Sequence, residues 1–145
     1  MNNALDNPKT LATRAHLPAQ SPRPRKSMPH SSEAALQTAI IAWLRLCVSP
    51  WSFHVANGGL RGKAEAGRLK QQGVLAGIPD VGVPLPGGQI LWIEVKKPGG
   101  RLSPEQVAFR DHVMATGGMW ALAFDVEGAQ RACRNFGIAT RETAP

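Results

Sequence analysis

The sequence is poor in cysteine, in acidic residues and in long apolar runs, and each shortage removes a class of protein. Cys47 and Cys133 are the two cysteines among 145 residues. Neither belongs to a CxxC pair or a Cys/His cluster, so a zinc site or a disulfide framework has little support. Both read as reduced core residues of an intracellular protein. No run approaches the ~18–20 apolar residues of a membrane span, and no amphipathic stretch is long and basic enough to act as a surface anchor. The first residues are Arg-rich and acid-poor, as transit peptides are, but their prolines interrupt any amphipathic helix, and there is no apolar signal-peptide core. Asp plus Glu number 10 against 17 Lys plus Arg, which leaves a net charge of +7 and a pI near 10.3. So basic a chain suits a polyanion better than an acidic small molecule, and nucleic acid is the expected partner rather than membrane.

The length fits one domain, since domains cluster around ~100–150 residues. Residues 1–30 hold Pro8, Pro18, Pro22, Pro24 and Pro29 and five Lys/Arg against the single Asp6. With no hydrophobic period they read as a disordered basic tail, which leaves residues 31–145 as a single folded domain. Ser32 is a candidate N-cap for a first helix, in which Leu36, Ile40, Trp43, Leu44 and Cys47 recur at helical spacing. "WSFHVA" (51–56) reads as a short strand. A Gly-rich basic connection follows, with room for one or two helical turns around Ala64 to Gln72. Strands are expected near 79–84 and 89–96, joined through "PLPGGQ". Ser103, Pro104 and Gln106 form a capping-box start for a helix that ends at Gly117-Gly118. "MWALAF" (119–124) reads as a buried strand, and Asp125 caps a last helix to about Asn135. The order α-β-β-β-α-β-α makes an α/β fold, a mixed sheet with flanking helices.

Within this frame "GIPDVGVPLPGGQILWIEVKKPGG" (77–100) sets charges into apolar sequence. Alternation puts Ile90, Trp92, Glu94 and Lys96 on one face of the strand and Leu91, Ile93 and Val95 on the other. Asp80 joins Glu94 and Lys96 only in the right register. A two-residue Gly87-Gly88 turn pairs it with Val95 on the wrong face, while a three-residue loop or a bulge sets it opposite Glu94 or Lys96. Two carboxylates and an ammonium would then converge, a set suited to Mg²⁺ or Mn²⁺ with the lysine orienting water. The bland alternative is a turn-favouring Asp after Pro79 and a solvent-facing Glu/Lys pair. Against it, Ile90 and Trp92 indicate a covered face, where a charge needs a partner or a metal. Glu33 shares a helical stripe with Leu36, Gln37 and Ile40 and can reach inward.

"GIPDVGVPLPGGQILWIEVKKPGGRLSPEQ" resembles the PD-(D/E)xK nuclease signature, and specifically the VRR-NUC (virus-type replication-repair nuclease) branch: Gly-x-Pro-Asp, a hairpin, Glu-Val-Lys, then Leu-Ser-x-x-Gln on the next helix. The likeness covers about residues 32–127. It implies a restriction-endonuclease-like α-β-β-β-α-β core and a metal-dependent DNA endonuclease. It also implies Asp80, Glu94 and the Val95 carbonyl as metal ligands, Lys96 as the residue that positions water, and Glu33 and Gln106 as supporting site residues. Capping its own helix explains Gln106 equally well locally. Single-domain relatives are similar to Holliday-junction resolvases in working as homodimers, so the resemblance implies a dimer on branched DNA. The expected place is intracellular, in the cytoplasm or on the nucleoid. The Ala39, Ile41, Val48 side of the first helix is a candidate contact between copies.

Candidate DNA contacts are Arg61, Lys63, Arg68 and Lys70 in the basic connection, with His54 and Asn57 beside the expected cleft. A lone strand histidine is more often a packing residue. "GGLRGKAE" falls one residue short of a P-loop and has Ala64 where Ser or Thr belongs, so nucleotide-triphosphate chemistry is not indicated.

Overall fold

The computed structural model describes residues 32–56 and 63–141. The expected basic tail and two candidate DNA contacts, Asn57 and Arg61, lie outside the described residues, as does the side chain of Lys63.

Helix α1 spans Glu33–Cys47. Ser32 Oγ accepts the Ala35 N–H at 3.1 Å, and Glu33 in the first turn suits the positive end of the helix dipole. The helix buries Ile40, Leu44 and Cys47. Strand β1 is Phe53–His54, shorter than the expected 51–56. The cause is a turn: the Ser52 N–H and Oγ–H both donate to Ser49 O, which leaves Trp51 outside the sheet and exposed. Helix α2 is Lys63–Gln71, strand β2 is Val81–Pro84 and strand β3 is Ile90–Val95. Helix α3, Pro104–Ala115, starts with the full capping box on Ser103 and Gln106. Strand β4 is Met119–Ala123, and helix α4, Val126–Asn135, is capped by Asp125, whose Oδ1 accepts the Gly128 N–H at 2.7 Å.

The sheet runs β1-β2-β3-β4, antiparallel for the first two pairings and parallel for β3 with β4. A parallel pair needs a long crossover, and α3 supplies it. This is the mixed-sheet α/β architecture expected from the sequence. Leu91, Ile93, Val95, Val81, Val83 and Ala123 are fully buried and share a core with Ile40 and Leu44 of α1 and Ala129 and Cys133 of α4. Each such Val, Leu or Ile contributes ~1.5–3 kcal/mol by leaving water. Both cysteines are free and buried, and burial pushes the Cys133 thiol up to about 11.

One expectation needs correction. Strand β4 is not buried throughout: it is the sheet edge, and only Ala123 is fully covered. On the Ala39, Ile41, Val48 side of α1, Ala39 is exposed, while Ile41 and Val48 are half-buried against the chain's own core. Among the described residues no helix is long and apolar enough to cross a membrane.

Candidate active site

The hairpin between β2 and β3 decides whether the charges meet. Its turn is Pro86–Gly88, a three-residue loop closed by the Leu85 N–H donating to Gln89 O at 2.8 Å. Gly87 and Gly88 both sit at positive φ, 77° and 75°, where an L side chain is strained. The loop pairs Pro84 with Ile90 and Val81 with Ile93. Continued by one step, that register sets Asp80 opposite Glu94. Asp80 Oδ2 accepts the Val95 N–H at 2.9 Å, which fixes its carboxylate beside the end of β3.

A second constraint comes from Gly77. Its φ is +84°, and a Cβ there would stand 2.4 Å from the backbone carbon and oxygen of Glu105. The chain entering β2 is thus pressed directly onto the first turn of α3. That contact brings Gln106 to the carboxylates. Its Oε1 accepts the Ser103 N–H at 2.9 Å while its Nε2 donates to Glu94 Oε1 at 2.5 Å. Capping and site contact are therefore made by two ends of one amide.

Glu94 is the centre of the cluster. Its side chain is 1% exposed, and Lys96 Nζ lies 2.8 Å from Oε1. Its other oxygen, Oε2, is buried with no hydrogen-bond partner. Burial is the largest reason that the Glu94 carboxyl is pushed up to about 7. The charge of the neighbouring Asp80 pushes the same way, against Lys96. Burial alone would lower the Lys96 ammonium, but the hydrogen bond and charge of Glu94, helped by Glu33 and Asp80, outweigh it and raise its pKa. Lys96 is thus a firmly protonated donor. Glu33 Oε1 is 3.8 Å from Lys96 Nζ, with a half-exposed side chain at the start of α1.

The structure accordingly brings Glu33, Asp80, Glu94, Lys96 and Gln106 together, at Val95. His54 approaches differently. It pairs with Val81, one step out of phase with Asp80 and Glu94. Its Nδ1 lies 2.9 Å from the backbone oxygen of Asp80, which also accepts the Val55 N–H. Arg68 and Lys70 are exposed on α2 and make no ion pair among the described residues. An aromatic row escaped the sequence reading: Trp92 meets Phe53 and Phe109 edge-on, at 6.4 and 5.7 Å between ring centroids. Phe53 covers Gly82, where a Cβ would stand 2.4 Å from the ring. The period-2 alternation of β3 signalled a covered face, but nothing local named its cover.

Oxygen donors of this kind suit a hard divalent cation. Among the described residues no group of three or more His, Cys, Asp or Glu is arranged to hold a metal ion, so the candidate set is two carboxylates plus a backbone carbonyl. The unpartnered Oε2 of Glu94 and its contact with a second carboxylate fit that set: a cation would satisfy the one and relieve the other.

A family model for the VRR-NUC domain matches residues 31–124. Among solved structures the chain is similar to a VRR_NUC domain protein, with 19% identity and a TM-score of 0.62, over 75% of this chain and 90% of that one. At that identity the likeness speaks for the fold. No curated protein matches the chain.

Proposed function

Since this chain belongs to the VRR-NUC domain family, a nuclease family, we propose that it is a Mg²⁺- or Mn²⁺-dependent DNA endonuclease acting as a homodimer on branched DNA. The observation that carries the proposal is Glu94: a buried carboxyl facing a second carboxylate, with one oxygen left without a partner and an ammonium 2.8 Å from the other. A module that only binds DNA gains nothing from that arrangement. Its cost to the fold is the kind that catalytic sites tolerate.

Asp80, Glu94 and the Val95 carbonyl would hold the cation, which supplies positive charge to the scissile phosphate and acidity to a bound water. Lys96 keeps its proton, so its role is to orient the attacking water and offset phosphate charge rather than to act as the base. Glu33 adds a second carboxylate within 3.8 Å of the Lys96 ammonium, and Gln106 fixes the Glu94 carboxyl by donating to Oε1. The Val95 N–H does the same for Asp80. Arg68 and Lys70 on α2, with Arg61, Lys63, Asn57 and His54, would contact the DNA backbone. Water attacking in line would leave 5′-phosphate ends.

Incubation with labelled linear, flap and four-way-junction DNA in Mg²⁺ or Mn²⁺ tests this reading. The expected result is cleavage that stops in chelator and prefers the junction. Preference for the flap or a single nick would replace the resolvase part. A wild-type protein that binds all three and cuts none would reduce the chain to a basic DNA-binding module.

A further inference from the structure

Between α2 and the Gly77-Ile78-Pro79-Asp80 stretch the chain covers almost nothing of itself. From Gly67 to Ala76 only Leu69 is even half-buried. Val74 and Leu75 are 41% and 60% exposed, two adjacent apolar side chains in water. The segment that carries them is nonetheless held at both ends. At one end the Gly73 N–H donates to Lys70 O and the Val74 N–H to Leu69 O, closing α2 with Gly73 at φ +89°. At the other, Gly77 is pressed on the backbone of Glu105, beside the Gln106 that grips Glu94. Val74 and Leu75 are therefore exposed within a segment anchored at both ends, the one that leads straight into Asp80.

The surroundings name the partner. Arg68 and Lys70 stand exposed in the last turn of α2, just before this pair. Two apolar residues are too few for a protein interface, whose core needs a contiguous patch. Apolar tips beside cations match DNA instead: cations hold phosphates while Leu- or Ile-like side chains enter between base steps and unstack them.

We propose that Val74 and Leu75 are a wedge that enters the base stack of bound DNA while Arg68 and Lys70 hold the flanking phosphates, so that the site selects DNA already unpaired or easily unstacked near the cut. The inference rests on the nuclease reading above and adds to it the residues that would recognise disrupted stacking. A paired duplex must be unstacked at the wedge, whereas a mismatch or branch has lost that stacking already.

The test uses full-length protein in chelator, so that metal-dependent cutting is off, and duplexes with 2-aminopurine placed at successive positions. Wild-type binding should raise the fluorescence several-fold at one position. The V74S/L75S double variant should bind with the same salt dependence but leave that fluorescence near the free value, and Leu75→Met should retain the rise. Both replaced residues are exposed, and thermal unfolding checks that the fold is unchanged. Two mismatched pairs at that position should tighten wild-type binding about tenfold, equal to about 1.4 kcal/mol. In the double variant that ratio should fall close to one. An equal rise in the double variant, or DNA binding with no rise at any position, would overturn the wedge, as would binding to protein but not to DNA. The nuclease reading fails separately: a wild-type protein that gives the rise but never cuts in Mg²⁺ or Mn²⁺ would refute the nuclease and keep the wedge.

Discussion

Replacing Glu94 by glutamine keeps the shape of a buried side chain and removes its charge, and the result depends on pH with a definite sign. In the folded, metal-free chain the Glu94 carboxyl titrates at about 7, against 4.5 in the unfolded chain, chiefly because it is buried. Between those values the folded state holds a proton that the unfolded state has released. The stability this group contributes is therefore greatest below pH 4.5 and is lost as pH rises through 7. From pH 5 to pH 8 the loss is about 2–3 kcal/mol. At ~4 °C per kcal/mol for a domain of this size, wild-type Tm should fall by about 10 °C relative to Glu94→Gln over that range. Scanning calorimetry of both proteins in chelator, at pH 5, 6, 7 and 8, measures the difference, in which the titrations of groups remote from Glu94 cancel. Excess Mg²⁺ at pH 8 should restore the wild type, by about 2.7 kcal/mol at a hundred times Kd, and leave the variant where it was. Parallel curves, or a variant that loses ground as pH rises, would refute the reasoning.

Gly77→Ala should destabilise by about 3–5 kcal/mol, because positive φ and the contact with Glu105 act together. Gly99→Ala has the same φ, +83°, and nothing within 4 Å, so urea titration should show only about 1–2 kcal/mol there. Gln106→Ala should cost about 1 kcal/mol through the lost cap and, by freeing the Glu94 carboxyl, lower cleavage ~10–100-fold. Gln106→Glu keeps an oxygen to accept the Ser103 N–H but sets a carboxylate against the buried Glu94, so it should recover neither the stability nor the rate. Arg68→Gln and Lys70→Gln should each reduce the slope of log K for DNA against log salt by about 1.

Local signals in the sequence sufficed for the elements. The caps at Ser32, Ser103 and Asp125 and the alternation of β3 are short-range, and each stands where its chemistry placed it. The register of Asp80 was legible only as a condition, because a hairpin slip of one residue changes the face and nothing within β2 settles it. The turn at Pro86–Gly88 does. What escaped were contacts between elements distant in the chain. Gly77 reads as a motif glycine, yet its neighbour is the backbone of α3. The row Phe53, Trp92 and Phe109 joins three elements. The truncation of β1 and the partial exposure of β4 likewise follow from a turn and from sheet order, which hydropathy alone does not encode.

The most direct measurement is cleavage of a labelled four-way junction in Mg²⁺ and in Mn²⁺ by the wild type and by Asp80→Asn, Glu94→Gln and Lys96→Ala, with binding of the same DNA measured alongside. The account predicts that the wild type cuts, that chelator stops it, and that each variant loses ~10³-fold or more in rate while Asp80→Asn and Glu94→Gln bind at least as tightly, having shed negative charge beside the phosphate. Cleavage at the wild-type rate by any of the three would contradict the assignment of these residues as the active site.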